Sequence, residues 1–370
     1  MSYGQVNTDI VSDSSGGRLA PISSVFRNRI INGSMTIDQR NSGASVTPTT
    51  VGAYTYSSVD RLWYLISQSS KFTIQQNAGA ITPPNGFSNY VGVTSSAATS
   101  VGSGDYFWIG QSIEGFNTSD FSWGTANAKT VTLSAWVYSS LTGTFGGSLY
   151  NSASNYFYPF TYTISSANTW TQISITVTGP TSGTWVGATN GVGVRVLFNL
   201  GSGSTYTGTA NAWASGSAYA PTGAVNVVST SGATFYITGV QLEVGSSATG
   251  YEYVNYQTSL ANCQRYFQNG VTSQSECIIG GIRTGGSAQF SYPFKVTMRS
   301  TPSITLNSFT AQDLSNGSNY TVTGLAMQNG QTATNNINMS ATWSSGGTAG
   351  VAANLFGPSN ATGFTFSAEL

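Results

Sequence analysis

The chain has 370 residues, and only 6% of them are charged, whereas roughly 25% is usual for a soluble protein. Its 12 basic and 12 acidic residues cancel, so the sequence provides no net charge that would attract nucleic acid or an anionic membrane surface. Histidine is absent, which excludes histidine-dependent triads, histidine-ligated metals and imidazole acid–base catalysis.

The composition predicts an all-β fold. Aromatic residues make up 12% of the chain and hydrophobic residues 39%, so a core can form although charges are few. Helices normally present Lys, Glu and Arg to water, whereas the 44 glycines and the abundant Ser, Thr and Asn suit strands joined by turns. No apolar run reaches the length of about 18 residues that a membrane span needs. The first residues lack the basic start and apolar core of a secretory signal, so we expect synthesis in a cytoplasm and no membrane insertion.

Residues 1–27 are polar and rich in Gly and Ser, with no sustained hydrophobic period. This composition fits two structures equally well. One is an extended N-terminal arm that becomes ordered when it docks on a partner, and the other is a disordered tail.

From residue 28 onward, short β-rich runs alternate with turn clusters. Strands are predicted at residues 61–66, 71–76, 130–140, 159–165, 169–179, 193–201 and 234–245. In the run at 130–140, Val131, Leu133, Ala135 and Val137 alternate with Thr132, Ser134, Trp136 and Tyr138. This period of two places one set in a core and the other on the opposite face of a sheet. Many such strands with Gly, Asn and Pro between them predict an antiparallel two-sheet sandwich over residues 28–257.

A second, smaller β domain is predicted over residues 258–370. Its first segment, residues 259–270, has apolar residues at helical spacing and predicts one short helix. Further strands are predicted at residues 287–298, 302–309, 320–328 and 362–370. The cysteines, Cys263 and Cys277, are too few for a disulfide framework or a four-ligand zinc site, and we expect free, passive thiols.

The residue types that remain for catalysis are carboxylates, which could act in pairs as in glycoside hydrolysis. Glu114 with Asp120, or Glu243 with Glu252, are the pairs that could share a cleft. A structural role is favoured for carboxylates in this chain, so we expect no enzyme, no catalytic residue, no metal and no cofactor.

Two other carboxylates lie beside arginines in the sequence. Asp38 is close to Arg40, and Asp60 adjoins Arg61, so both are interpreted as members of structural ion pairs.

Aromatic residues are the candidates for binding, because an aromatic ring suits the apolar C–H face of a pyranose. The same side chains could instead fill the core or pack between subunits. Trp123 and Trp213 lie in turn-rich segments, which favours a position at the surface. Together with Tyr206 they form the predicted glycan-stacking site.

The sequence also resembles a known family. The motifs are NRIINGSMTIDQRNSG (28–43), SSVDRLWY (57–64), the stretch 111–155, NTWTQISITV, FNLGSGSTYTGTANAWASG (198–216) and the stretch 231–267. In this order they resemble the jelly-roll, carbohydrate-binding-module-like domain of tailed-phage fibre and other virion proteins. The resemblance implies a two-sheet jelly roll, assembly into homotrimers and a place on the virion surface, and it supplies no catalytic residue.

These observations lead to one functional expectation with alternatives. The chain is expected to be a virion surface fibre or receptor-binding protein, anchored to other virion proteins by residues 1–27. It would mediate attachment to a host surface glycan or receptor, with no nucleic acid as partner. The alternatives are a capsid-attached head fibre or decoration protein, and a structural tail or collar component.

Overall fold

The computed structural model of the chain describes residues 10–12, 18–21, 26–270, 277–306, 309–357 and 364–370. The all-β prediction is confirmed, because this part contains many antiparallel strands and a single α-helix. Within these ranges no helix has the length and apolar character needed to cross a membrane.

The following strands lie before residue 245, and those from residue 63 onward build the first unit. They are β1 (Ile10–Ser12), β2 (Arg18–Pro21), β3 (Trp63–Ile66), β4 (Phe72–Gln76), β5 (Val91–Ser95), β6 (Tyr106–Glu114), β7 (Val131–Ser139), β8 (Gly143–Tyr150), β9 (Tyr156–Ile164), β10 (Thr171–Val177), β11 (Val192–Ser202), β12 (Thr207–Gly208), β13 (Ala214–Ser215), β14 (Ala220–Pro221) and β15 (Thr234–Val244). Short 3-10 helices span Ala78–Ala80, Gly115–Asn117, Ser119–Phe121, Ser204–Tyr206 and Val227–Ser229.

Two antiparallel sheets face each other in this unit as a jelly-roll sandwich, which confirms the predicted fold class. The five-stranded sheet has the order β10-β7-β15-β5-β4, and the six-stranded sheet has the order β13-β9-β8-β11-β6-β3. Sequence neighbours are often not sheet neighbours, so the chain crosses repeatedly between the two layers. The main core lies between the sheets and is built from alternate residues of their strands.

Strand β7 shows how the alternation works. Leu133 and Val137 are fully buried between the sheets, as their period of two predicts. Thr132 and Tyr138 point to the other face, where they are 0% and 8% exposed. That second face is therefore also covered, rather than open to water.

The second unit begins with helix α1 (Tyr256–Gln264) and has its own core. Its strands are β16 (Phe267–Asn269), β17 (Cys277–Thr284), β18 (Ser287–Pro293), β19 (Ser303–Leu306), β20 (Thr310–Asp313), β21 (Asn319–Thr321), β22 (Gly324–Thr332), β23 (Asn336–Thr342), β24 (Ala352–Phe356) and β25 (Phe364–Ser367). Seven of them form a sheet in the order β21-β20-β24-β17-β18-β23-β22, and β16, β25 and β19 form a second sheet.

The helix lies earlier in the chain than the predicted segment 259–270. Asn255 caps its first turn, because the Asn255 side chain accepts a hydrogen bond from the backbone N–H of Thr258. After Gln264 the chain turns and pairs as strand β16, so Tyr266 belongs to the turn and Phe267 to the strand instead of to the helix.

The predicted arm, residues 1–27, lies mostly outside the described residues. Its described pieces pair as the antiparallel hairpin β1–β2. At the end of the segment, the backbone N–H of Phe26 donates to Glu252 and the Arg27 guanidinium lies 3.4 Å from the Glu243 carboxylate. The segment therefore joins the jelly roll beside the end of β15.

Candidate functional site

The outer face of the six-stranded sheet, which points away from the core, carries a second set of buried aromatic side chains. Alternation places Trp63 of β3 and Trp108 of β6 on this face, while their neighbours Tyr64 and Phe107 point into the core. Trp63 is fully buried and Trp108 is 2% exposed, so other groups must cover this face. The remaining buried members of the cluster are Leu65, Tyr150, Phe157, Leu197 and Ala218.

The absence of a side chain at Gly110 leaves room for the Trp63 ring. A Cβ atom at Gly110 would lie 2.6 Å from the Trp63 ring and 2.2 Å from the carbonyl oxygen of Val196. Since real Cβ atoms do not approach so closely, glycine at this position lets the indole ring lie against strand β6.

Half-buried tyrosines cover these tryptophans. The Tyr219 ring stacks on the Trp108 ring, with centroids 4.2 Å apart and planes 18° apart. The Tyr206 ring meets the edge of Trp108 at 5.5 Å and that of Tyr106 at 5.2 Å. Tyr54 also packs against the cluster. We call these five residues, Tyr54, Tyr106, Trp108, Tyr206 and Tyr219, the aromatic face.

The loop that carries Tyr206 and Tyr219 is held by backbone bonds. The two-residue strands β12 and β14 pair in parallel, and the Tyr219 N–H donates to the carbonyl oxygen of Tyr206 at 2.9 Å. These contacts hold the two rings side by side above the sheet. The aromatic face therefore depends on tertiary pairing, not on one run of sequence.

The aromatic face presents neutral groups. Burial raises the pKa values of Tyr106 and Tyr219, so both remain protonated phenols near neutral pH. The nearby cation, Arg195, is 8% exposed and lies 4.6 Å from the centre of the Tyr54 ring. Its guanidinium already donates to the carbonyl oxygen of Ser152 at 3.0 Å. The surface can thus offer flat apolar rings and hydroxyl groups to a ligand, whereas the Arg195 guanidinium is already hydrogen-bonded within the chain.

A cluster of charged residues lies where the same sheet meets the C-terminal domain. Arg61 and Arg40 both form ion pairs with Glu369, and all three side chains are at most 10% exposed. The guanidinium of Arg61 also donates to the carbonyl oxygen of Ser112 at 2.6 Å and stacks 3.6 Å from the Tyr266 ring centre. This cluster joins the two units of the chain.

The predicted ion pair between Asp38 and Arg40 is wrong, because each of the two side chains contacts a different group. The two carboxylate oxygens of Asp38 accept hydrogen bonds from the backbone N–H groups of Asn41 and Gly43, at 2.9 and 2.7 Å. Asp38 therefore stabilises its own turn, which is a common use of Asp. Arg40 is turned toward Glu369, 329 positions later in the chain.

The predicted pairing of Asp60 with Arg61 is wrong in the same way. The Asp60 carboxylate accepts hydrogen bonds from the backbone N–H and the side-chain amide of Gln39. Burial raises the pKa of Asp60 to about 7, although the positive charge of Arg40 acts in the opposite direction. Arg61 lies with Asp60 in a turn and has a backbone φ of 71°, and its side chain pairs with Glu369 instead.

The predicted glycan-stacking residues do not form one site. Trp123 and Trp213 are brought together, with ring centroids 5.3 Å apart, but they close one end of the core. Trp123 is only 6% exposed, which corrects its predicted surface position. Its indole N–H donates to the carbonyl oxygen of Lys129, and that of Trp213 donates to Thr178. Tyr206 lies apart from them on the aromatic face.

The first pair of candidate carboxylates makes structural contacts. Glu114 accepts two hydrogen bonds from Arg265, at 2.6 and 2.9 Å, and one from the hydroxyl group of Tyr266 at 2.6 Å. Burial raises the pKa of Glu114, but these hydrogen bonds outweigh it and hold the pKa below its ordinary value. Asp120 is paired with Arg29 at 2.9 Å.

The second pair of carboxylates holds the segment that leads into the jelly roll. Glu243 is 1% exposed and accepts hydrogen bonds from the backbone N–H and hydroxyl group of Thr249. Glu252 accepts a hydrogen bond from the backbone N–H of Asn28 at 2.5 Å. Because Glu243 also pairs with Arg27, both acids bind residues at the start of the jelly roll that are far from them in sequence.

Cys263 is buried and Cys277 is exposed, and both are free thiols. Burial raises the pKa of Cys263 well above its ordinary value, so it is protonated near neutral pH. Among the residues that the structure describes, no group of three or more Cys, Asp or Glu is arranged to hold a metal ion.

No family model matches the chain, and no curated protein matches it. Among solved structures, it is similar to the enzymatically active domain of tailspike protein 4 of bacteriophage CBA120, with 13% identity and a TM-score of 0.32. That match covers 61% of this chain and 23% of the tailspike chain, so this chain spans less than a quarter of it. A putative sugar-binding protein from Bacteroides thetaiotaomicron is 13% identical, with a TM-score of 0.31 over 59% of this chain and 100% of that one. A family 61 carbohydrate-binding module in complex with β-1,4-galactotriose is 9% identical, with a TM-score of 0.28 over 59% of this chain and 99% of that one.

Proposed function

We propose that this chain is a surface protein of a tailed-phage virion that attaches to a neutral glycan of the host through the aromatic face. In this proposal it binds and does not catalyse. The observation that carries the glycan part is the group of half-buried rings around Trp108, with Tyr206 and Tyr219 above it.

The physical basis is the match between these rings and a sugar. A pyranose has an apolar C–H face, which gains from contact with a flat ring, and a rim of hydroxyl groups that need hydrogen-bond partners. Binding sites for small molecules commonly combine such apolar walls with a few placed polar groups. The protonated phenols of Tyr106 and Tyr219 supply polar groups beside the rings. A neutral glycan suits this face because Arg195 is already engaged.

The virion part of the proposal is supported by the ordered motifs between residues 28 and 267, which resemble those of phage fibre proteins. Residues 1–27 would anchor the chain to other virion proteins, and the tie between Arg27 and Glu243 fixes the point where this segment leaves the jelly roll. Assembly as a homotrimer is proposed on the same resemblance, and light scattering of the purified chain tests it. A monomer at micromolar concentration would contradict the trimer.

The experiment for the function compares binding of the purified chain to host cells after two treatments. Periodate, which destroys vicinal diols of sugars, should abolish binding, whereas protease treatment of the cells should leave it intact. Binding that survives periodate and is lost with protease would overturn the glycan proposal. Labelling of virions with antibody to this chain tests the second part, since absence of label from both head and tail would contradict a virion surface position.

A further inference from the structure

A small cavity lies beside the aromatic face, between the end of β11 and the turn that follows β14. Its volume is about 230 Å³. Most of its walls are amide or hydroxyl side chains, and no charged residue is among the described residues that line it. The polar residues are Asn199, Ser202, Ser204, Thr207, Thr222 and Asn226.

One side-chain donor in this cavity has no partner. Asn199 is 1% exposed, and its Nδ2 group forms no hydrogen bond within the part of the chain that the structure describes. Buried polar groups are nearly always hydrogen-bonded, so a buried amide donor left free beside a cavity indicates a missing acceptor.

The orientation of this amide is fixed by its other end. The Oδ1 atom of Asn199 accepts hydrogen bonds from the backbone N–H of Gly201 at 3.1 Å and from the hydroxyl group of Ser202 at 2.7 Å. Rotating the amide by half a turn would place the NH₂ group against the Gly201 N–H, which is itself a donor. Nδ2 is therefore the atom without a partner.

A chain of hydrogen bonds connects this amide to the aromatic face. The indole N–H of Trp108 donates to the Ser202 hydroxyl oxygen at 2.7 Å, and that hydroxyl group donates to Asn199. The backbone N–H of Ser202 donates to Asn226, so both cavity asparagines are held by the same residue. The same hydrogen-bonded residues therefore hold both the cavity wall and Trp108, on which the rings of the aromatic face pack.

We propose that this cavity binds one neutral sugar residue of the glycan, whose hydroxyl oxygen accepts the hydrogen bond from Asn199 Nδ2. This inference rests on the proposed glycan-binding function and names the part of the ligand that is recognised. The cavity is smaller than the roughly 300 Å³ at which drug-sized pockets begin, so it suits a single ring and not an oligosaccharide. A carboxylate or phosphate would be buried without a cationic partner, which disfavours acidic sugars.

The test uses the full chain and two variants. Asn199→Asp keeps the acceptor oxygen for Gly201 and Ser202 but replaces the free donor with an anionic oxygen. Ala224→Leu adds apolar volume to the cavity lining without touching this network, so it keeps the test valid if the first variant does not fold. Asn85→Asp, in an exposed turn, is the matched control.

The probes are the methyl glycosides of glucose, galactose, mannose and N-acetylglucosamine, with methyl glucuronide as the charged counterpart, observed by saturation-transfer NMR. We expect at least one neutral glycoside to bind the wild type and Asn85→Asp. Its affinity should fall at least about tenfold in both cavity variants, and methyl glucuronide should not bind.

Two results separate failure of this inference from failure of the proposed function. If the host polysaccharide binds the wild type and both cavity variants equally, or if methyl glucuronide binds as well as the neutral glycosides, the inference is wrong and glycan binding stands. If neither polysaccharide nor any glycoside binds the wild type, both proposals are wrong.

Discussion

The rings of Trp108 and Tyr219 stack at 4.2 Å between centroids, although one lies on strand β6 and the other in a loop 111 positions later. The stack closes the outer face of the six-stranded sheet and supports the tyrosines beside it. Without Tyr219, a tryptophan that is now 2% exposed would face water.

Tyr219→Ala should therefore lower the free energy of unfolding by about 3 kcal/mol, the usual cost of removing a packed aromatic ring. Tyr219→Phe keeps the stack and should cost about 1 kcal/mol or less. Urea denaturation measures both values. Equal stability of the alanine variant and the wild type would mean that the ring does not support this face.

The ion pairs of Glu369 predict a second stability effect. Glu369→Gln removes the negative charge that faces Arg40 and Arg61, two buried guanidinium groups. Breaking a buried ion pair costs about 3–5 kcal/mol, because it leaves charge uncompensated in a medium of low dielectric. The matched control is Asp120→Asn, since Asp120 is 42% exposed and its pair with Arg29 should contribute about 1 kcal/mol or less. Similar losses in the two variants, measured by denaturation, would contradict the buried cluster.

Asp60 predicts how stability depends on pH. Its pKa is raised from 3.8 to about 7 by burial, so the folded chain holds a proton that the unfolded chain releases. The stabilisation is fully present below pH 3.8 and is lost as the pH rises towards about 7. The charged groups that act on this carboxyl are Arg40 and Glu369.

Asp60→Asn, which cannot ionise, should lack this loss. As the pH rises across that interval, the unfolding free energy of the wild type should therefore fall relative to that of the variant. Denaturation at several pH values measures it. A difference that is constant with pH would show that Asp60 is not protonated in the folded chain.

The neutral character of the aromatic face predicts that binding depends little on salt. Coulombic attraction is the component of binding that dissolved ions screen, and at about 1 M salt the screening length is only about 3 Å. The dissociation constant for host polysaccharide should change less than about twofold between low salt and 1 M. A loss of affinity of tenfold or more would instead indicate charged contacts.

The sequence predicted the fold better than the site. Alternation at Leu133 and Val137 gave the correct core face of β7, because burial between two sheets imposes that period. Strand β6 was not predicted, since Tyr106 and Trp108 make its second face aromatic as well and so hide the alternation.

The errors in the site have a tertiary origin. Trp123 lies in a turn-rich segment but packs into the end of the core, because loops at the ends of a sandwich fold over it. Asp38 and Asp60 were predicted to pair with Arg40 and Arg61, whereas the ionic partner of both arginines is Glu369 from the other domain. Tyr206 was predicted as a glycan-stacking residue together with Trp123 and Trp213, but the rings that it contacts, those of Trp108 and Tyr219, come from segments that local patterns do not connect.

Glycan binding by the aromatic face is tested most directly at Tyr206. Affinity for purified host polysaccharide should be measured by titration calorimetry for the wild type, Tyr206→Ala and Tyr256→Ala, after urea denaturation shows that all three are folded. Tyr256 is 58% exposed and lies on helix α1, outside this face. We predict that Tyr206→Ala weakens binding about tenfold, equivalent to about 1.4 kcal/mol, and that Tyr256→Ala binds as the wild type does. Wild-type affinity in folded Tyr206→Ala would contradict glycan binding by the aromatic face.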